Sequence, residues 1–181
     1  MMLLRRNFSR RTTVELLRLA LPMVVSQGTF AVMIFTDRYF MSQIDPVHMA
    51  AALGGGVASF FSFCFFIGLF SYANALSAQY LGAGEPEKCP KVVTQGIIMT
   101  AMSAPFLTLI TFLVAGIFEG MGHEPAQVDL ERTYYLILMS GVLVTLAKTC
   151  VSSYFAGIGR TFVVMICDVF GLVINIPLCY V

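Results

Sequence analysis

The sequence predicts an all-α integral membrane protein, and three observations carry that prediction. Residues 49–84 run for 36 positions without one Asp, Glu, Lys or Arg. A helix needs only about 20 apolar residues to cross the hydrocarbon core of a bilayer. Charged residues make up 12% of the 181-residue chain, at a mean hydropathy of +0.84, where soluble domains carry about 25% charge. Finally, apolar stretches recur five times, separated by short connectors rich in Gly, Pro or charge.

The first element is a basic tail, residues 1–13, with Arg5, Arg6, Arg10 and Arg11. It is too short and too basic for a cleaved signal peptide, and it leads into an apolar run long enough to span. Five spans follow, over residues 14–41, 49–80, 92–118, 133–157 and 161–181. The second exceeds what a bilayer needs and is expected to tilt or protrude. Pro22, Pro105 and Pro177 fall inside three of the spans, where proline frees a backbone carbonyl and permits a bend. Small residues in AAALGGG at 50–56 allow close helix approach.

Lys and Arg set the expected orientation. The tail, the second connector (Lys88, Lys91) and the fourth (Arg160) hold seven basic residues against one, Arg132, in the first and third. The positive-inside rule then places the N-terminus in the cytoplasm of a plasma or inner membrane, and Val181 outside. The third connector, with Glu119, Glu124, Asp129 and Glu131, faces out. Tyr39, Tyr80, Tyr134 and Tyr135 lie near span ends, either as interfacial anchors or as ordinary apolar filling.

Composition excludes several functions. The net charge of +1 gives no field for nucleic acid. Five cysteines without a CxxC pair, and two histidines in different connectors, have no metal-ligand spacing, so no metal and no cofactor is expected. GGG at 54–56 and GAG at 82–84 lack the strand and GK[ST] context of phosphate loops. No nucleophile or cofactor motif appears, so the chain is not expected to be an enzyme.

Charges inside the membrane are the functional candidates, because ionisable residues there are costly and face a bundle interior or a wet cavity. Asp37 lies about four residues, or ~6 Å, below the outer end of the first span. Ser26, Phe30 and Met33 share its helical face, a lining suited to an apolar cation. Arg38 points ~100° away from Asp37 and is expected to snorkel outward rather than pair with it. Lys148 and Asp168 each lie nine residues from the GIG turn at 157–159, at equal depth on antiparallel neighbours, which predicts a buried ion pair. That pair is either a structural clamp or part of the coupling. Asp168, Asn175 and Cys179 fall at i, i+7 and i+11 on one face of the fifth span.

These residues fit a known pattern. Pro22, then Asp37, the Ala-rich start at 49–52, AQYLGAG at 78–84, FAGIGRT at 155–161 and NIPLCY at 175–180 follow in order. Over residues 14–181 the sequence resembles the multidrug and toxic compound extrusion (MATE) transporters. The resemblance implies five helices of a six-helix N-lobe in a two-lobed, 6+6 antiporter. Such proteins export organic cations and other amphipathic compounds in exchange for Na⁺ or H⁺. It also implies a cation-coupling role for Asp37, with Na⁺ as one possible ligand there, and places Asn175 near it in the N-lobe cavity. Many members carry Asp or Asn at the position of Cys179, which weakens a two-carboxylate proton site here. Set against this family, the sequence ends inside the fifth helix, with the sixth helix and the C-terminal lobe missing, so a fragment inactive alone is expected. Two other readings stand beside it. A lipid-linked saccharide flippase of the same superfamily would need several cavity Lys or Arg, of which Lys148 and Arg38 are the only candidates. A small five-span scaffold protein would need none of these features.

Overall fold

The computed structural model describes residues 10–120 and 122–180. Residues 1–9, with Arg5 and Arg6 of the basic tail, and Val181 lie outside the described residues. Seven α-helices follow one another: α1 (Arg10–Ile44), α2 (Pro46–Ser71), α3 (Ala73–Gly82), α4 (Cys89–Ile117), α5 (Pro125–Ser140), α6 (Val142–Gly157) and α7 (Thr161–Tyr180). Single 3₁₀ turns lie at Pro86–Lys88 and Phe118–Gly120. No strand occurs among the described residues.

Four stretches are long and apolar enough to cross a membrane: Thr13–Ile44, Pro46–Gly82, Pro86–Gly120 and Thr161–Cys179. The helices α5 and α6 make a fifth when their 47° bend is taken within one span. The second stretch, 37 residues, would extend ~55 Å as a straight helix, well beyond a ~30 Å core. Helical starts differ from the sequence expectation at both ends of the chain's charged connectors. The first helix begins at Arg10, inside the predicted tail, and α5 begins at Pro125 rather than 133. Proline at the first helical position, after Glu124, accounts for the earlier start.

The prolines leave their helices unbroken, and a helix break falls elsewhere. Pro22, Pro105 and Pro177 each sit within an uninterrupted helix. The break bent by more than 40° is at Gly141. There the Ser140 hydroxyl donates to Ile137 O at 2.6 Å, and Gly141 N–H closes a tight turn onto Leu138 O at 3.2 Å. A Ser–Gly pair with a back-bonding hydroxyl bends a helix without proline.

The apolar core belongs to α2–α6. Phe70, Val92, Leu107, Phe118, Tyr135, Leu146 and Cys150 are buried and contiguous. Tyr135, expected among the possible interfacial anchors, is fully buried, with its hydroxyl 3.1 Å from Ser62 Oγ. The Gly-rich face of α2 explains how α5 comes so close. A Cβ on Gly55 would stand 2.8 Å from the Glu131 carbonyl oxygen and 3.0 Å from the Tyr134 ring. Asp45 caps the start of α2, accepting from Val47 N–H at 2.8 Å with Pro46 at the first position.

The pair α1 and α7 stands apart from this core. Each packs most extensively on the other, with α1 also touching α2 and α7 touching α6. Their exposed faces carry Val24, Phe35, Phe170 and Val173, as helices in contact with lipid do. In the connector between α3 and α4, Glu85 pairs with Lys88 at 2.8 Å, and Tyr80 lies beneath the same ammonium at 5.7 Å. The hydrogen bond and charge of Glu85 hold that lysine above its ordinary pKa.

Candidate functional site

Two carboxylates face each other's helices along the α1/α7 seam. Asp37 belongs to α1, seven residues before its end at Ile44, so it lies ~10 Å in from that terminus. Its Oδ1 accepts from Asn175 Nδ2 at 3.2 Å and from Cys179 Sγ at 3.0 Å, both on α7. Among the described residues no hydrogen bond reaches Oδ2, and no ion pair reaches Asp37. Asn175 Oδ1 is buried without a partner. The outer cluster therefore presents one carboxylate oxygen and one amide oxygen with no donor.

The second carboxylate is Asp168 on α7. Its Oδ2 accepts from the Ser26 hydroxyl of α1, and Lys148 Nζ of α6 stands 2.8 Å from Oδ1. The lysine acts there as a neighbouring charge rather than an aligned donor, since Oδ1 is buried with no hydrogen bond of proper geometry. The pair expected from sequence thus exists, but it is not a buried pair: the aspartate is largely enclosed and the lysine is open. The Asp168 side chain is 14% exposed and the Lys148 side chain 62%. A lysine on the α6 face that borders α7 keeps its long stem along the groove while the short aspartate is enclosed.

Ser26 departs from expectation. It shares a face with Asp37 on paper, yet eleven residues of helix, ~16 Å, separate them, and its hydroxyl serves Asp168. Met33 is half-buried and Phe30 is 54% exposed on the same helix. Cys179 contributes a donor to Asp37. Arg38 does not snorkel outward. Its guanidinium turns onto α2, with Nη2 at 3.4 Å from where a Gly56 Cβ would stand and Nη1 buried without a partner. The small residues of α2 leave the space that a larger face would fill.

Sequence reasoning missed Glu131. Assigned to an external connector, it is a helical residue only 1% exposed. Gln127 Nε2 donates to its Oε1 at 2.8 Å, and His123 Nδ1 lies 3.1 Å from its Oε2. A Cβ on Gly54 would meet Oε1 at 2.8 Å. The i, i+4 spacing of Gln127 and Glu131 from a Pro125 start was the available signal, together with the glycine run that needs a tightly packed neighbour.

These features define a multi-pass α-helical membrane protein with charged groups held inside a helix seam. Comparison narrows that class. The MatE family model matches residues 22–181, and the chain belongs to the MatE family. It is similar to the probable multidrug resistance protein NorM of Pseudomonas syringae pv. tomato, at 28% identity over 166 residues, covering 91% of this chain and 36% of that protein. It is also similar to the multidrug resistance protein NorM of Vibrio cholerae, at 26% over 167 residues, 92% of this chain and 36% of that one. The chain therefore spans little more than a third of the length of the curated relatives it matches. Its fold is that of a MOP superfamily transporter from Pyrococcus furiosus, with a TM-score of 0.80 over 91% of this chain and 37% of that chain, at 20% identity.

Proposed function

We propose that this chain forms the N-terminal lobe of a membrane efflux transporter that exchanges organic cations or related amphipathic compounds for Na⁺ or H⁺, with Asp37 as the exchange carboxylate. The observation that carries it is the donor balance at the outer seam. Asn175 gives one amide hydrogen and Cys179 its thiol hydrogen to Oδ1, while among the described residues Oδ2 and the buried Asn175 Oδ1 receive none. Two oxygens without donors in a low-dielectric seam suit a proton or a hard monovalent cation. An intramembrane carboxylate is costly to keep charged alone. When one cation leaves, binding of another becomes favourable, and that exchange links the two fluxes. The family and its NorM relatives support the class of activity.

The flippase alternative gains nothing from the site. Lys148 is engaged by Asp168, and Arg38 points at α2, away from the seam. Our orientation places the N-terminus and the Lys88–Lys91 connector in the cytoplasm, from the seven-to-one bias of basic residues. Transport itself belongs to the assembled two-lobed protein, because alternating access needs a second wall. The test is Asp37→Asn in that full-length protein, measured as ion-driven efflux of a fluorescent organic cation from vesicles. Efflux should fall to near background at unchanged membrane insertion. Efflux equal to wild type in a well-inserted variant would sink the role of Asp37.

A further inference from the structure

The seam holds two carboxylates in a reciprocal arrangement. Asp37 of α1 takes its donors from α7, and Asp168 of α7 takes its hydroxyl donor from α1. They differ in one respect: Asp168 has a cation of its own, Lys148, at 2.8 Å, whereas among the described residues no ion pair reaches Asp37. A carboxylate enclosed to 14% exposure inside a bilayer needs a positive charge or a proton beside it. Lys148 meets that need without leaving the molecule. The lysine also lies on the wall of an apolar groove between α6 and α7, of about 400 Å³, with Val144, Val151, Phe155, Val163 and Cys167 around it. Lys148 is the one charged residue in that lining, beside the hydroxyl of Ser152.

We propose that Lys148 is a tethered counter-cation that closes Asp168 to exchangeable cations, so that the α1/α7 seam carries one exchange site and not two. Asp168 is then a latent site for an organic monocation, masked by the lysine ammonium, with the apolar groove lined by Lys148 and by Cys167, its neighbour in sequence, beside it. The imperfect alignment of the ammonium with Oδ1 is what a competing charge would exploit: the contact is held by charge and not by a directed hydrogen bond. Ser26 keeps the carboxylate aimed across the seam whichever cation sits on its other oxygen. The count of one exchangeable cation rests on the proposed role of Asp37; the masking of Asp168 does not.

The experiment counts sites. The protein, reconstituted in nanodiscs, is titrated with radiolabelled tetraphenylphosphonium, an apolar cation that cannot lose a proton. Wild type should bind one per chain and Asp37→Asn none. Lys148→Met should bind two, and Lys148→Met with Asp168→Asn should return to one. Lys148→Arg, which keeps the charge, should stay at one. A Lys148→Met protein that binds no more than wild type would overturn the masking. Wild-type binding that survives Asp37→Asn would overturn the function proposed above, while the difference between Lys148→Met and the double variant would still decide the role of Lys148. Should Lys148→Met fail to insert, Lys148→Gln decides instead: it too removes the charge, so it should bind two, and binding of one would overturn the masking.

Discussion

The unequal burial of the Lys148–Asp168 pair makes a quantitative prediction about its two halves. Lys148→Met deletes the cation beside a carboxylate that is 14% exposed. Ser26 then remains as its donor, and a short side chain on α7 cannot carry the charge elsewhere. Breaking a buried pair in this way costs about 3–5 kcal/mol in soluble proteins; this pair is open on the lysine side, so about 2–3 kcal/mol is expected. Asp168→Leu deletes the other half. Lys148 is 62% exposed, its four-carbon stem lets the ammonium swing to the mouth of the groove, and a pair so exposed on one side behaves closer to the ~0–1 kcal/mol of a surface contact. Its loss, together with the idle Ser26 hydroxyl, should cost about 1 kcal/mol. The double variant should lie near Asp168→Leu, giving a coupling of about 2 kcal/mol in a double-mutant cycle. Reversible unfolding in mixed detergent, followed by circular dichroism, reads all four proteins. Equal single losses would refute the asymmetry, and strictly additive losses would show that the two charges do not interact.

Further predictions concern the helix contacts and the topology. Gly55→Ala should destabilise by about 1–3 kcal/mol, because its Cβ would stand 2.8 Å from the Glu131 carbonyl oxygen, whereas Gly68→Ala, with nothing within 4 Å, should stabilise by up to ~1 kcal/mol through helix propensity; melting temperatures that shift the same way would overturn the contact. Glu131→Ala should cost about 2–4 kcal/mol by removing two hydrogen bonds to a buried charge, and Glu131→Gln clearly less, as measured in the same unfolding assay; a neutral Glu131→Ala would mean that the cluster is not formed. A reporter fused after Lys91 should read cytoplasmic and one placed at 122–124 external, and the reverse pattern at both would invert the orientation.

How much of this was legible in sequence depended on the kind of information each residue carries. Apolar length and charge placement located the spans, because hydrocarbon thickness imposes those directly. The depth argument brought Lys148 and Asp168 together, since a tight GIG turn fixes the register of the two helices that flank it, with Gly159 at φ +76° making that turn possible. Helical phase was less informative. Ser26 and Asp37 share a face of α1, yet α7 lies along that whole face and offers each a different partner. Burial of a side chain likewise depends on the neighbour, not on its own helix, which is why Lys148 and Asp168 differ although their depths match. Glu131 was lost for a related reason. Connectors are read by polarity, and a glutamate near Glu124 and Asp129 looks solvated until the glycine face of α2 is seen against it. The break between α5 and α6 had no proline to announce it: the Ser140–Gly141 step carries it through a back-bonding hydroxyl and a glycine.

The arrangement of layers gives the seam its mechanical meaning. The apolar core ties α2–α6 into one body through Phe118, Tyr135 and Leu146, and among the described residues neither α1 nor α7 contributes a buried apolar residue to it. The two outer helices pack along each other with polar contacts at two levels, ~16 Å apart, and they meet the body at the Lys148–Asp168 pair on one side and at Arg38 against the small face of α2 on the other. Polar contacts have discrete partners and can be exchanged at modest cost, whereas a close-packed apolar interface resists sliding. A change of charge at Asp37 therefore acts on the contacts that join α1 to α7, not on the core. Cation binding at that carboxylate would compete with Asn175 and Cys179 for the same group, and so would bias how α7 sits on α1 while leaving α2–α6 intact. That is the form a coupling element must take: a local charge event that selects between two placements of one helix against another.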